Sequence, residues 1–139
     1  MATMIRAQIS QKNPYYIDKH RHYELKHFCL QYPKWRKAYA DSLDCDIPVA
    51  IIEGAHRPEG LYDPTSARAI TRAYYSDRMK MLERVAKDAD KYLWRYILKA
   101  VTEGLSYTYL KTKMDVPCGR DMYYDRYRRF FWLLSELRD

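Results

Sequence analysis

Arginines and tyrosines alternate between residues 118 and 129, which read CGRDMYYDRYRR. An arginine guanidinium can donate paired hydrogen bonds to guanine O6 and N7 or to a phosphate, and a tyrosine can stack on a base or bind a phosphate oxygen. At about 3.6 residues per turn, Arg120, Tyr124 and Arg128 fall on one side of a helix. This stretch therefore predicts a helix whose polar face binds nucleic acid.

Another face of the same helix is apolar. Helical spacing relates Tyr123, Tyr127, Phe130, Leu134 and Leu137, and most apolar residues come in the second half of the segment. Helices that read the major groove place their base contacts near the N-terminus and their core anchors further along. This order favours a groove-binding helix over the alternative, an amphipathic surface helix with arginines on its solvent side.

Distance from the helix start divides the candidate contacts into two groups. Arg120 and Tyr124 lie closest to the start and are the candidates for binding base edges. The remaining cations are candidates for binding phosphates. They are Arg126, Arg128 and Arg129 on the closing helix, with Lys111 and Lys113 on the segment before it.

The elements before the closing helix are predicted in a characteristic order. Residues 92–139 predict a helix that ends at Gly104, a short helix, a turn at 115–117 and a longer helix that begins near residues 118–119. This order is typical of a helix-turn-helix DNA-binding unit that follows a supporting helix. Asp115 departs from the pattern, because compact units usually have a glycine in the turn.

Prolines divide the N-terminal half of the chain. Residues 1–13 show no hydrophobic period and are expected to form a loose arm. Apolar residues at helical spacing predict an amphipathic helix over 15–32, and Pro33 fits the first turn of a second helix. Residues 44–63 predict a loop, in which the run IPVAII is expected to form a short apolar strand or clip.

A long helix is expected after this loop. Asp63 fits its N-cap and Pro64 its first helical position, and apolar spacing continues from Thr65 to about Asp88. The predicted fold is all-α, with an N-terminal helical pair, a long connecting helix and a C-terminal helix-turn-helix. Along the chain, one compact domain would comprise a loose arm at 1–13, the helical segment and loop at 14–63, and the long helix and DNA-binding unit at 64–139.

Composition and charge agree with this interpretation. Only 4 glycines and 6 prolines interrupt 139 residues, which favours helices over a turn-rich β-sandwich. The net charge is +7, and a basic protein favours a polyanionic partner because neutralising phosphates releases counterions. The charge is uneven, since residues 44–63 carry five carboxylates and one arginine between two basic flanks.

No pattern typical of an enzyme or a cofactor site is present. The sequence lacks a glycine-rich phosphate loop, a serine nucleophile elbow and carboxylates paired with a histidine. His20, Glu24 and His27 would share a helix face and are the best candidate metal ligands, but no second cluster adds further ligands. A DNA-binding protein without catalytic residues, metal or cofactor is therefore expected.

Cysteine usage and hydropathy predict a cytoplasmic protein that does not enter the membrane. The spacing of Cys29, Cys45 and Cys118 fits neither a disulfide framework nor a metal motif, which favours a reducing compartment. No apolar run approaches membrane-spanning length. Cys118 lies beside the expected helix start, where a lowered thiol pKa and a redox switch are conceivable, although a packed thiol is the preferred interpretation.

Three segments resemble the phage transcriptional activators of the RinA and ArpU type, whose C-terminal half is similar to region four of sigma factors. Within residues 23–139, they are LQYPKWRKAYADSL, YDPTSARAITRAYYSDRMKMLERV and LSYTYLKTKMDVPCGRDMYYDRYRR. The resemblance implies a C-terminal unit that binds promoter DNA to activate late or packaging genes, with RNA polymerase as a further partner. By position, it assigns to the recognition helix Arg120, Tyr123, Tyr124, Arg126, Arg128 and Arg129.

Sequence reasoning thus predicts a protein that binds duplex DNA in a sequence-specific manner. A two-fold homodimer is expected because one unit of this size reads few base pairs. Two alternatives remain open. One is a phage DNA-packaging subunit that assembles as a ring, and the other is an inhibitor or protein-interaction module that uses the aromatic helix.

Overall fold

Six α-helices form the part of the protein described by a computed structural model, residues 11–44 and 64–138. In chain order they are α1 (Lys19–Cys29), α2 (Tyr32–Asp44), α3 (Pro64–Ala89), α4 (Trp94–Glu103), α5 (Tyr107–Lys113) and α6 (Arg120–Leu137). No strand occurs within these two ranges, so the predicted all-α class is confirmed. Most of the predicted N-terminal arm, the IPVAII run and Asp63 lie outside the described residues.

The N-terminal helical pair is present, but α1 is shorter than predicted. It begins at Lys19 because Asp18 is extended and its carboxylate accepts a hydrogen bond from the backbone N–H of His20, over 3.0 Å. This cap satisfies an N–H that lacks a partner within the helix. α2 begins at Tyr32, so Pro33 lies in its first turn as predicted.

The long connecting helix, α3, has two halves with different surroundings. It begins at Pro64 as predicted and ends at Ala89, one residue beyond the expected end. Leu82 in its C-terminal half is fully buried. Ile70 and Tyr74, one turn apart in its N-terminal half, are 70% and 49% exposed. Apolar spacing is similar in both halves, so burial depends on which neighbouring helices reach each half.

One hydrophobic core joins all six helices. Its fully buried members include Leu25 from α1, Leu82 from α3, Ile97 from α4 and Phe130 from α6. Full burial of one such side chain stabilises the fold by about 1.5–3 kcal/mol. α6 packs against both α3 and α1, so this core fixes the helix that carries most of the candidate contacts.

The predicted apolar face of α6 is largely confirmed. Tyr123, Tyr127, Phe130 and Leu134 are all buried. Leu137 was expected on the same buried face but is 48% exposed, because it is the last residue of α6 and the neighbouring helices leave it uncovered.

Arg21 of α1 binds the C-terminal end of α6. Its Nη2 donates hydrogen bonds to the carbonyl oxygens of Ser135, over 3.1 Å, and Arg138. The last carbonyls of a helix have no partner within the helix, so this guanidinium satisfies groups that would otherwise need water. The contact holds the C-terminal end of α6 in place, whereas the turn and α5 position its N-terminal half.

Two residues with left-handed backbone conformation shape the C-terminal unit. Gly104 has φ +71° and ends α4 as predicted, with its N–H bound to the carbonyl of Ala100. Asp115 has φ +50° and is followed by the fully buried Val116, whose N–H donates to the carbonyl of Leu110 over 3.2 Å. Aspartate is one of the few residues other than glycine that adopt this conformation readily. Asp115 therefore occupies the left-handed position of the turn, where a glycine is usual.

His22 is a titratable group inside the core. Its side chain is 6% exposed, and its ring centroid lies 4.8 Å from that of Phe131 in an edge-on arrangement. Burial, assisted by the nearby Lys26 ammonium, lowers the pKa of His22 from 6.5 to about 4. The folded protein therefore keeps this imidazole neutral at pH values where the unfolded chain would protonate it.

Acid should weaken the fold through His22. Between pH 6.5 and 4 the unfolded state binds a proton at this imidazole more readily than the folded state, so the free energy of unfolding should decrease as the pH falls, by about 2 kcal/mol over this window. Urea unfolding at several pH values would measure this, with His22→Leu as the comparison. Carboxylates contribute equally in both proteins, so parallel stability curves would contradict the prediction.

Candidate nucleic-acid interface

Hydrogen bonds across the turn fix α5 against the start of α6. Ser106 caps α5 by accepting a hydrogen bond from the backbone N–H of Tyr109, over 3.1 Å. The hydroxyl of the buried Tyr107 donates to the carbonyl of Cys118 over 2.7 Å. The Lys111 ammonium reaches the carbonyl of Val116, over 3.4 Å. The predicted order of short helix, turn and longer helix is therefore a connected unit.

Arg120 is the most accessible candidate contact on α6. It is the first residue of the helix and is exposed. Its guanidinium carbon lies 5.7 Å from the ring centroid of Tyr107, and Arg120 forms no ion pair with a carboxylate in the described part of the chain. A cation beside an aromatic ring is oriented without being neutralised. Arg120 can thus donate its hydrogen bonds to a ligand.

The two adjacent tyrosines of α6, Tyr123 and Tyr124, differ in burial. Tyr123 is fully buried, and burial raises the pKa of its phenol well above the ordinary range. This placement excludes Tyr123 from the predicted DNA contacts, because a ligand cannot reach it in this fold. Tyr124 is half-buried, with its ring centroid 5.1 Å from that of Tyr123 and 6.2 Å from that of Tyr107. Only its outer edge is available to a ligand.

Arg126 binds within the protein instead of projecting as a phosphate contact. Its Nε donates to Asp90 Oδ2 over 3.0 Å, and its Nη1 donates to Asp125 Oδ2 over 2.8 Å. The Asp90 side chain is only 8% exposed. Releasing Arg126 would leave a buried carboxylate unpaired, so the predicted phosphate-binding role is corrected to a structural one.

The side chains of Arg128 and Arg129 are only partly accessible to a ligand. Both are half-buried, and the Nε atom of each is buried without a hydrogen-bond partner among the described residues. Neither arginine pairs with Asp125 there, and Asp125 pairs with Arg126 instead. The charge of both guanidinium groups remains available to an anion, although each side chain is less free than that of Arg120.

The two lysines of α5 add charge beside the start of α6. Lys111 and Lys113 are exposed and occupy the last turn of the helix. Neither forms an ion pair within residues 11–44 or 64–138. The structure thus brings three exposed cations, Arg120 and these two lysines, to one turn and its flanking helix ends.

Asp90 is the positioning residue that sequence reasoning missed. Besides binding Arg126, its carboxylate accepts the backbone N–H groups of Tyr92 and Leu93 over 2.7 and 2.8 Å, just before α4. Burial tends to raise the pKa of Asp90, but these hydrogen bonds and the Arg126 guanidinium outweigh it, so the pKa is lowered. An aspartate that accepts the backbone N–H groups two and three residues further on is a local turn signal, which the sequence alone can suggest. Its partner Arg126, 36 positions away, could not be predicted from the sequence.

Cys118 does not have the electrostatic surroundings of a reactive thiol. Burial raises the pKa of its thiol, the Asp90 carboxylate raises it further, and Lys111 opposes both effects. The lowered thiol pKa that was conceivable for Cys118 from its position near the start of α6 is therefore wrong. Cys118 packs at the edge of the core.

Two further features are absent from the described residues. No three histidine, cysteine, aspartate or glutamate side chains there lie close enough together to hold a metal ion. None of the six helices combines the length and the apolar character that a membrane-spanning segment needs.

Comparison with known proteins finds no relative on which to base a function. No protein-family profile, no curated protein and no solved structure matches this sequence.

Proposed function

We propose that this protein binds duplex DNA in a sequence-specific manner, with α6 in the major groove. The observation that carries the proposal is the exposed Arg120 at the first turn of α6, where its guanidinium stacks beside Tyr107 without a carboxylate partner in the described residues. A guanidinium at this end of a groove helix suits two parallel hydrogen bonds to guanine. The outer edge of Tyr124, one turn later, suits a neighbouring base or phosphate.

Affinity in this proposal comes from phosphate contacts. Lys111 and Lys113 lie beside the turn, and Arg128 and Arg129 follow on α6. Each phosphate neutralised releases counterions, which favours binding to any duplex. Base contacts by Arg120 would then select among sequences, because phosphate contacts carry no sequence information. No covalent chemistry is needed.

A cytoplasmic phage or prophage transcription regulator of the RinA and ArpU type is the biological role that we propose for this activity. Its support is the resemblance of the three segments named above, together with the order of short helix, turn and longer helix from α5 to α6. In such a role the protein would act as a homodimer at promoters and contact RNA polymerase to activate late genes.

A protein contact is a second candidate function for another surface. Ile70 and Tyr74 are exposed on one side of α3, one turn apart. Exposed apolar side chains close together are more typical of protein interfaces than of solvent-facing helices. This surface suits the subunit contact of a dimer, or of the ring expected for a packaging protein.

Selection of duplexes from a random-sequence pool at two salt concentrations tests the proposed function. We expect one enriched motif that persists at the higher salt, because base contacts do not depend on counterion release. A palindromic motif would indicate a dimer. An unenriched pool, with all binding lost at the higher salt, would contradict sequence-specific recognition.

A further inference from the structure

We infer that the junction between α3 and α4 is a second surface for the same DNA duplex and binds its phosphates. This surface, named the α3–α4 corner, consists of Lys87, Lys91, Tyr92, Trp94 and Arg95. The inference rests on the proposed function and extends the DNA contact beyond α5 and α6. No residue of the corner was among the contacts predicted from sequence.

The two carboxylates nearest the corner along the chain lie closest to arginines outside it. The Asp90 carboxylate binds Arg126 over 3.0 Å, and Asp88 lies 4.0 Å from Arg84. The three cations of the corner form no ion pair within the described residues. They are Lys87, Lys91 and Arg95, and all three are exposed. The corner therefore presents positive charge that the described part of the protein does not neutralise.

Aromatic rings orient these cations. Trp94 lies close to two of them, with the Lys87 ammonium 4.8 Å and the Arg95 guanidinium carbon 5.3 Å from its ring centroid. The Lys91 ammonium lies 4.9 Å from the ring centroid of Tyr92. Such contacts restrict the side chains without cancelling their charge, so less conformational entropy is lost when a phosphate binds.

Tyr92 adds a hydrogen-bond donor to this charged surface. Its side chain is 75% exposed, more than any other large hydrophobic residue described. A ring left this exposed contributes little to the core. Its hydroxyl can donate to a phosphate oxygen while Lys91 supplies the charge, a combination common in protein–DNA contacts.

The corner lies beside the N-terminal half of α6. The hydrogen bond between Asp90 and Arg126 joins the two elements, six residues after Arg120. Six residues of helix span about 9 Å, less than the major-groove width of about 12 Å. Arg126, which binds Asp90 beside the corner, is thus within one groove width of Arg120 along the axis of α6, and the inference has one duplex contact Arg120 and the corner together.

The turn between α5 and α6 also lies near Asp90. The pKa of Cys118 responds to both the Asp90 carboxylate and the Lys111 ammonium, so both groups lie near the turn before α6. Cations of α5 and of the first turn of α6 thus lie at this turn, and Asp90, the neighbour of Lys91 in the chain, lies near it. The inference has one phosphate backbone pass from this turn to the corner.

Loss of two corner charges tests the inference. The test variant is Lys91→Gln with Arg95→Gln, and the control is Lys34→Gln with Lys37→Gln on α2, which packs against α3 and α4. Both double variants lower the net charge by two, so long-range attraction falls equally. Glutamine keeps the first two methylene groups of each side chain and a polar end without charge, and thermal melting would confirm that both variants fold. The probe is a random-sequence duplex titrated at several salt concentrations.

We expect the corner variant to bind this duplex about tenfold more weakly and to lower the slope of log affinity against log salt by about 2, since each phosphate contact contributes about 0.9. The control variant should keep the wild-type slope. The same loss should appear on the duplex recovered by selection, because phosphate contacts are independent of sequence. Equal slopes for the two double variants would overturn the inference.

The outcomes separate this inference from the proposed function. If the wild type binds duplexes and Arg120→Ala weakens the preferred site while the corner variant keeps its slope, only the corner inference fails. If the wild type binds no duplex, both fail.

Discussion

Asp90→Ala should lower the free energy of unfolding by about 3 kcal/mol. The carboxylate accepts two backbone N–H groups before α4 and an arginine Nε from α6, while its side chain is 8% exposed. Its removal would leave Arg126 without its cross-helix partner and the backbone groups of Tyr92 and Leu93 without an acceptor. Urea unfolding at neutral pH would measure the loss.

Asp88→Ala is the matched control for this prediction. Asp88 lies two residues away, but its side chain is 62% exposed and its partner Arg84 is 76% exposed, at 4.0 Å. Exposed pairs of this kind contribute at most about 0.5 kcal/mol. Similar midpoints for the two variants would show that the Asp90–Arg126 pair does not stabilise the fold, and would return Arg126 to the candidate phosphate contacts.

Arg120→Ala should weaken binding to the selected duplex by about 1–3 kcal/mol and relax specificity at one base pair. The reason is the loss of a bidentate guanidinium at the start of the groove helix. Stability should stay within about 0.5 kcal/mol of wild type, since Arg120 is exposed and its described contact is a ring at 5.7 Å. Fluorescence anisotropy on the selected duplex and on single-base variants would measure both effects.

Two comparisons sharpen the Arg120 prediction. Arg120→Lys keeps the charge but loses the planar fork, so it should recover binding to any duplex without recovering the base preference. Arg128→Ala should weaken all duplexes by a similar factor, as expected for a phosphate contact. If the Arg120 and Arg128 alanine variants behave alike on every sequence, Arg120 does not read a base.

The experiments also distinguish the biological alternatives. A dimer with a palindromic motif would favour a transcription regulator, whereas a larger closed ring would favour a packaging subunit. Loss of all DNA binding at modest salt, together with a tight protein partner, would favour the interaction module. The exposed Ile70 and Tyr74 of α3 suit the subunit contact of either the dimer or the ring.

The sequence by itself determined the helices and most of their ends. Pro33 and Pro64 lie in the first turns of α2 and α3, and Gly104 ends α4, as predicted. These signals are local, because a proline ring or a left-handed glycine acts on the dihedral angles of its own few residues. The same locality explains the error at α1, where the cap formed by Asp18 was overlooked.

Helical periodicity also predicts the buried face of α6. It identified Tyr123 as a member of that face, while the resemblance placed the same residue among the DNA contacts. The structure decides between them, since Tyr123 is fully buried and Tyr124 retains an accessible edge. Helical spacing predicts sides of a helix, but not how far each neighbouring helix covers them, as the exposed Ile70 on α3 also shows.

Only the tertiary structure decided which charges are free. Arg126 and Arg120 are chemically equivalent in the sequence, yet Asp90 binds the first, and the second forms no ion pair in the described residues. Lys91 became a candidate phosphate contact because the carboxylate of the neighbouring Asp90 binds Arg126 of α6. Charge pairing depends on distances between side chains far apart along the chain, and packing of the helices sets those distances.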